Sequence, residues 1–238
     1  MNIEKYVKRI KDAVSEAGLK GCTVGVSGGV DSAVVVALCK RAFPENTIGI
    51  SMPEKSTPKI NSTLRAMDLC NNIDVLLVTC PLDLIIKDIP FSSSLARGNF
   101  MARIRMSILY GYAQERNYMV IGTDNRTENY IGYFTKYGDG GVDINPIGDL
   151  YKWEVFELAK ELGLSDSIIK ALPSAELWEG QTDEGEIGMR YNELDYIINI
   201  IEKDLPYDKD IADKVEMVKR MHRNTEHKRK MPREFVNE

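Results

Sequence analysis

Residues 25–32 read GVSGGVDS and fall between two apolar runs, CTVGV and AVVVALC. Glycines at a strand-to-helix turn leave backbone N–H groups free for an anion, because the first helical turn has no internal acceptors for them. Gly28 and Gly29 permit a close approach, and Ser27 and Ser32 add hydroxyl donors. A helix N-terminus contributes about 0.3–1 kcal/mol per exposed charge and up to about 2 when partly buried. That is too little to hold a triphosphate, so cations are required. The lysine of G-x-x-x-x-G-K-[ST] is missing, as is the spacing G-x-G-x-x-G, which disfavours Walker-type kinases and Rossmann dehydrogenases.

Asp31 then puts a negative charge beside the anion. One reading makes it a helix N-cap. The other makes it a ligand of Mg²⁺, which takes one or two carboxylates together with substrate phosphates and water. A second carboxylate should stand at the carboxyl end of a neighbouring strand, where open α/β sheets bind ligands. The segment IGTDNRTE offers Asp124 and Glu128.

These residues need strands and helices in alternation, and the chain supplies them. Apolar positions at helical spacing mark residues 3–17. CTVGVS (22–27), NTIGISMP (46–53), DVLLVTCP (74–81) and YMVIGTD (118–124) read as buried strands. Helices are expected over 32–43, from an N-cap at Thr57 toward Asn71, and over 95–116 in spite of Gly98 and Gly111. The result is an α/β class chain with a doubly wound parallel sheet and helices on both faces. Beyond Asp124, YFTKYGDGGVDINPIGDLYK is too rich in glycine and aspartate for a regular element and reads as an ordered loop. Helices over about 150–163 and 166–170 follow. PSAELWEGQTDEGEIG reads as a mobile loop, and residues 82–100 as a second mobile segment. Helices near 191–203 and 208–222 form a C-terminal extension before a basic tail. Residues 1–238 are expected to be a single domain.

Net charge is −5 over 238 residues, which argues against general nucleic-acid binding. No apolar stretch approaches the length of a membrane span, and the N-terminus mixes charge with hydrophobe. Cys22, Cys39, Cys70 and Cys80 form no C-x-x-C pair and read as buried, reduced thiols of a cytoplasmic protein.

The stretch S-G-G-x-D-S after a first strand resembles the loop of N-type ATP pyrophosphatases, which cleave ATP between the α and β phosphates. GTDNRTE, GYFTKYGDGGVDINPIGDLYKWEV, LPSAELWEGQTDEGEIG and EHKRKMP together resemble NAD⁺ synthetase over nearly the whole chain. The resemblance implies an adenine nucleotide alpha hydrolase-like fold and a homodimer with Mg²⁺ as cofactor. It implies ATP-dependent amidation of deamido-NAD⁺, the last step of NAD⁺ synthesis, releasing AMP and pyrophosphate. It also implies that Gly25, Val26, Ser27, Gly28, Gly29, Val30, Asp31 and Ser32 bind ATP phosphates, and that Thr123, Lys152 and Ser174 contact ATP. Asp31 and Glu128 would hold Mg²⁺. Arg103, Lys136, Asp143, His227 and Lys228 would contact deamido-NAD⁺, with Arg105 as a rival to Arg103. Asp31, Lys152 and Asp143 would be the catalytic set, Asp143 near the incoming ammonia. No segment is left for a glutaminase, so free ammonia is the expected nitrogen donor. Another ATP pyrophosphatase acting on tRNA, and a non-catalytic nucleotide sensor, are the competing readings. Each basic residue also has a bland role as a solvated or ion-paired surface group. Trp178 could cover ATP or merely anchor its loop, and His222 reads as structural.

Overall fold

The computed structural model describes residues 2–54, 60–86, 89–174 and 182–234. Four parallel strands, β1 (Cys22–Gly25), β2 (Thr47–Ser51), β3 (Leu76–Thr79) and β4 (Met119–Ile121), pair in the order β3-β2-β1-β4. Each is shorter than the apolar run that announced it. β1 and β2 are buried almost throughout, as strands covered on both faces must be.

The helices divide between the faces. α1 (Ile3–Glu16), α2 (Val30–Ala42) and α3 (Ile60–Asn72) share one core with Cys22 and Val24 of β1. On the opposite face, α4 (Asp83–Ile86) and α5 (Ser94–Arg116) pack on Ile48 and Ile50 of β2. Alternate residues of each strand thus feed opposite cores. The expected N-cap at Thr57 lies outside the described residues. Gly98 and Gly111 do not break α5, which ends at Asn117 in the left-handed conformation (φ 57°).

All four strands run the same way, but strand order switches sides at β1: the crossover to β2 uses one face and the crossover into β4 uses the other. The tips of β1 and β4 therefore bound a crevice. Asp143 N–H donates to the Val120 carbonyl at 3.0 Å and Gly122 N–H to that of Ile144 at 2.8 Å, so the expected loop continues the sheet past β4. Two short helices flank that loop, α6 (Arg126–Ile131) and α7 (Lys152–Glu161), followed by α8 (Asp166–Ile169). α7 and α8 join the first core through Val155, Leu158 and Ile168.

The C-terminal extension contains α9 (Asp183–Ile187), α10 (Tyr191–Glu202) and α11 (Ala212–Asn224). Tyr191, Leu194, Ile197 and Ile198 of α10 pack with Val215 and Val218 of α11 against Ile131 of α6. Among the described residues no helix is long and apolar enough to cross a membrane. The cysteines are free thiols; Cys22, Cys39 and Cys70 are buried and Cys80 is half-buried.

Leu194 is fully buried where α10 meets this third core. Leu194→Ala should lose about 2–5 kcal/mol, read as a lower urea midpoint by circular dichroism, with the slope unchanged.

Candidate active site

The glycine turn has one position that only glycine can occupy. Gly28 lies at φ +86°, and a Cβ there would sit 2.2 Å from the Ser62 carbonyl oxygen. Arg65 Nε donates to the Gly28 carbonyl at 2.9 Å, fixing the turn from α3. Ser32 Oγ donates to the Gly29 carbonyl at 3.0 Å, and Gly29 N–H donates to Ser27 Oγ at 3.2 Å. Two hydroxyls and several N–H groups therefore line one bend at the start of α2.

Asp31 is not the N-cap; Gly29 holds that position, without a side-chain bond. The Asp31 carboxylate instead crosses to the β4 side. Its Oδ1 accepts from Asn125 Nδ2 at 2.9 Å and its Oδ2 from Lys152 Nζ at 2.6 Å. Lys152 also donates to Glu128 Oε1 at 3.0 Å. Glu128 reaches this point because it is the third residue of α6. Asn125 caps α6 by accepting the Glu128 N–H at 3.0 Å, while Glu128 Oε2 accepts the Asn125 N–H at 3.3 Å. One carboxylate from each side of the crevice thus meets a single ammonium that is 2% exposed.

Burial pushes the Glu128 carboxyl up to about 7, against the opposing pull of Lys152. Burial alone would lower Lys152, but Asp31 and Glu128 more than reverse that, so the ammonium keeps its proton.

This group lies in a cavity of about 430 Å³, a size suited to one small-molecule ligand. Gly25, Val26, Ser27, Gly29, Val30, Asp31, Ser32, Thr123, Glu128, Lys152, Ser174 and Lys228 line it; Gly28 faces away, against Ser62. Its described lining carries six acids (Asp31, Asp124, Glu128, Asp139, Asp183 and Glu186) against four cations (Arg65, Arg105, Lys152 and Lys228). A polyphosphate entering such a lining needs more positive charge than the protein brings. The donors at Asp31 and Glu128 are oxygens that already converge on one cation, which fits a hard divalent ion held by two carboxylates, water and phosphate. Among the described residues no cluster of three or more such side chains forms a protein-only metal cage.

Other expected residues lie elsewhere. Arg103 is exposed on α5 and donates to the Asn99 carbonyl at 3.3 Å, whereas Arg105 turns into the cavity lining. Asp143 is exposed too. Its carboxylate accepts from Tyr110 OH at 2.9 Å and from Val120 N–H at 2.8 Å, on the outer side of β4. Lys136 donates to the carbonyls of His227 and Lys230, and the His227 ring faces solvent. Lys228 donates to the carbonyls of Gly132 at 2.8 Å and Phe134 at 2.6 Å. His222 is structural: Nδ1 lies 2.7 Å from the Tyr130 carbonyl and its ring rests on Tyr130. Trp178 lies outside the described residues.

Several lining residues were not singled out from the sequence. Arg65 occupies an ordinary helical context, and Asp183 falls in the run read as a mobile loop, where the structure instead forms α9 over Asp183–Ile187. Asp139, whose carboxylate accepts the Thr135 N–H at 3.0 Å, lines the cavity from inside the very run that drew attention to Lys136. Asp124 is 5% exposed and its Oδ2 has no hydrogen-bond partner among the described residues; burial pushes its carboxyl well above the usual range.

Comparison with known proteins agrees with this architecture. Residues 2–232 match the family model described as NAD synthase. The NH(3)-dependent NAD(+) synthetase of Alkaliphilus oremlandii is 44% identical, with 97% of this chain and 95% of that protein covered. Among solved structures, the NMN synthetase from Francisella tularensis superposes with a TM-score of 0.87 at 34% identity, covering 98% of this chain and 96% of that one. The NH3-dependent NAD synthetase from Campylobacter jejuni, in complex with nitrate, gives 0.82 at 32%, covering 98% and 97%. Full-length agreement in sequence and in fold places the chain within the NAD synthase family.

Proposed function

We propose that the protein converts deamido-NAD⁺ to NAD⁺ with ammonia and ATP, releasing AMP and pyrophosphate. The observation that carries this reading is the meeting of Asp31 and Glu128 on one buried cation at the β1–β4 crevice, beside a glycine turn shaped for phosphate. ATP lies along residues 25–32, with Thr123, Lys152 and Ser174 in contact. A nicotinate carboxylate attacks the α-phosphorus and pyrophosphate leaves. Ammonia then displaces AMP from the acyl carbon and sheds a proton.

Each side chain acts by charge and position. Lys152 offers its remaining N–H to the bridging or β oxygens, where negative charge grows as the bond breaks. Asp31 and Glu128 would hold Mg²⁺, which would supply positive charge against the phosphates. Asp143, bonded to Tyr110 and Val120, is not placed to meet ammonia. Asp124, which is buried, and Asp139 both line the cavity, and they attract an ammonium ion and accept its proton.

Arg103, Lys136, Asp143 and His227 contact deamido-NAD⁺ on a face completed by a second copy of the chain, in a cytoplasmic homodimer. Two features support this. Those residues lie outside the cavity, and α5 leaves Ile104, Ile108, Leu109, Tyr110 and Tyr112 only half-covered around its circumference. A mononucleotide acceptor is the second reading, favoured by the close superposition on the Francisella tularensis NMN synthetase.

An assay with ATP, Mg²⁺ and ammonium decides between acceptors when deamido-NAD⁺ and nicotinate mononucleotide are supplied separately. We expect one AMP and one pyrophosphate per NAD⁺ formed; ADP and phosphate would rule out the adenylate route. Asp31→Asn and Glu128→Gln should each lower AMP formation by about 100-fold or more while circular dichroism stays unchanged. Ammonium salt should support turnover and glutamine should not, as measured on protein purified free of ammonia.

A further inference from the structure

Tyr191 and Asp195 stand one helical turn apart on α10, so both point to the same side. Both are buried, at 5% and 3% exposure. Their bonds converge on Lys152 from its two ends. Asp195 Oδ2 accepts the Trp153 N–H at 3.2 Å, and its Oδ1 accepts the Thr127 hydroxyl. Thr127 Oγ1 in turn accepts the Lys152 N–H at 3.1 Å. The backbone at the first turn of α7 is thus tied to α10. At the other end, Lys152 Nζ lies over the Tyr191 ring, 4.7 Å from its centroid. The Tyr191 hydroxyl donates to Asp183 Oδ2 at 3.0 Å and lies 3.3 Å from Glu128 Oε1.

We propose that Tyr191 is a positioning residue for adenylyl transfer, holding the Lys152 ammonium against its ring while its hydroxyl, fixed by Asp183, steadies Glu128. This rests on the reading that Lys152 and Glu128 act on ATP. A lysine is a point charge on a flexible four-carbon stem, and two carboxylates alone would capture it. An aromatic face attracts the charge without dictating a hydrogen-bond direction. The ammonium therefore keeps a donor to turn toward phosphate without swinging away from the crevice. The hydroxyl has a separate task. Glu128 accepts from Lys152 and from the Asn125 N–H, and the Tyr191 hydroxyl beside Oε1 limits its remaining rotation. A residue serving only as core among Ile187, Leu194 and Val215 would need neither the hydroxyl bond nor the ring beneath a charge.

The test compares full-length Tyr191→Leu, Tyr191→Phe and Lys152→Met with the natural chain. Initial rates of AMP formation are taken at saturating ammonium and deamido-NAD⁺ with ATP varied, and ATP binding is measured separately by calorimetry. We expect Tyr191→Leu to lower kcat about 30-fold or more, with ATP affinity and KM held within about threefold. Tyr191→Phe, which keeps the ring, should recover to within about tenfold of the natural rate. Natural kcat per folded molecule in Tyr191→Leu overturns the proposal, as does a loss carried wholly by KM. Should Tyr191→Leu not fold, Tyr191→Phe decides: kcat lowered about three- to tenfold with ATP binding intact supports the proposal, and natural kcat overturns it. Lys152→Met separates the two levels of the argument. If it turns over normally, the reading of the site itself fails; if it is inactive while Tyr191→Leu is normal, only the positioning role fails.

Discussion

One ammonium buried between two carboxylates sets the terms for everything around it. Lys152 is 2% exposed, with Asp31 at 2.6 Å and Glu128 at 3.0 Å. Such an arrangement is a poor way to gain stability, because desolvating the ions offsets much of their attraction, and well-packed apolar residues often do as well. Removing a single partner, by contrast, strands a buried charge at a cost of about 3–5 kcal/mol. A group that is expensive to bury and expensive to break is best understood as retained for what it does. It also draws on the topology. The two carboxylates follow β1 and β4, neighbouring strands whose crossovers take opposite faces of the sheet.

Much of this could be read from the sequence because it depends on local rules. Short apolar runs located all four strands, helical spacing located α1, and GVSGGVDS located the turn. What was missed has two physical sources. Short helices such as α4, α6 and α9 are too brief for periodicity, although Asn125-x-x-Glu128 carries a capping-box signature that marks the start of α6. The second source is direction. Arg103 and Arg105 are two residues apart on one helix, and sequence cannot say which faces the crevice. Asp139 and Asp143 pose the same problem along one loop, since a shared motif does not reveal which carboxylate turns inward. Arg65 and Tyr191 gave no signal at all, because their importance comes from contacts 37 and 63 residues away.

The charge pattern has a similar logic at a larger scale. An overall charge of −5 says little about an anionic ligand, because the field that matters is local and its surroundings are of low dielectric. Inside the cavity acids outnumber bases among the described residues, so the charge of the lining suits a cation better than a bare anion. That resolves the apparent conflict of an aspartate within a phosphate turn: Asp31 is aimed away from the turn's N–H groups and toward the point where positive charge collects.

The lysines extend this argument to the exposed face. An ammonium has three donors. Lys152 spends two on Asp31 and Glu128, Lys228 two on the carbonyls of Gly132 and Phe134, and Lys136 two on those of His227 and Lys230. Each is thereby fixed in direction, with one donor left over among the described residues, which is a different object from a solvated surface lysine sampling many rotamers. The carbonyls that hold Lys136 and Lys228 belong to the tail and to the 132–134 segment, so each segment immobilises the cation of the other. The ordering entropy is lost on folding rather than on binding, and a ligand that meets these donors has less left to lose. A basic tail that composition alone would read as a solvated charge run is, by this bonding, tied to the 132–136 segment.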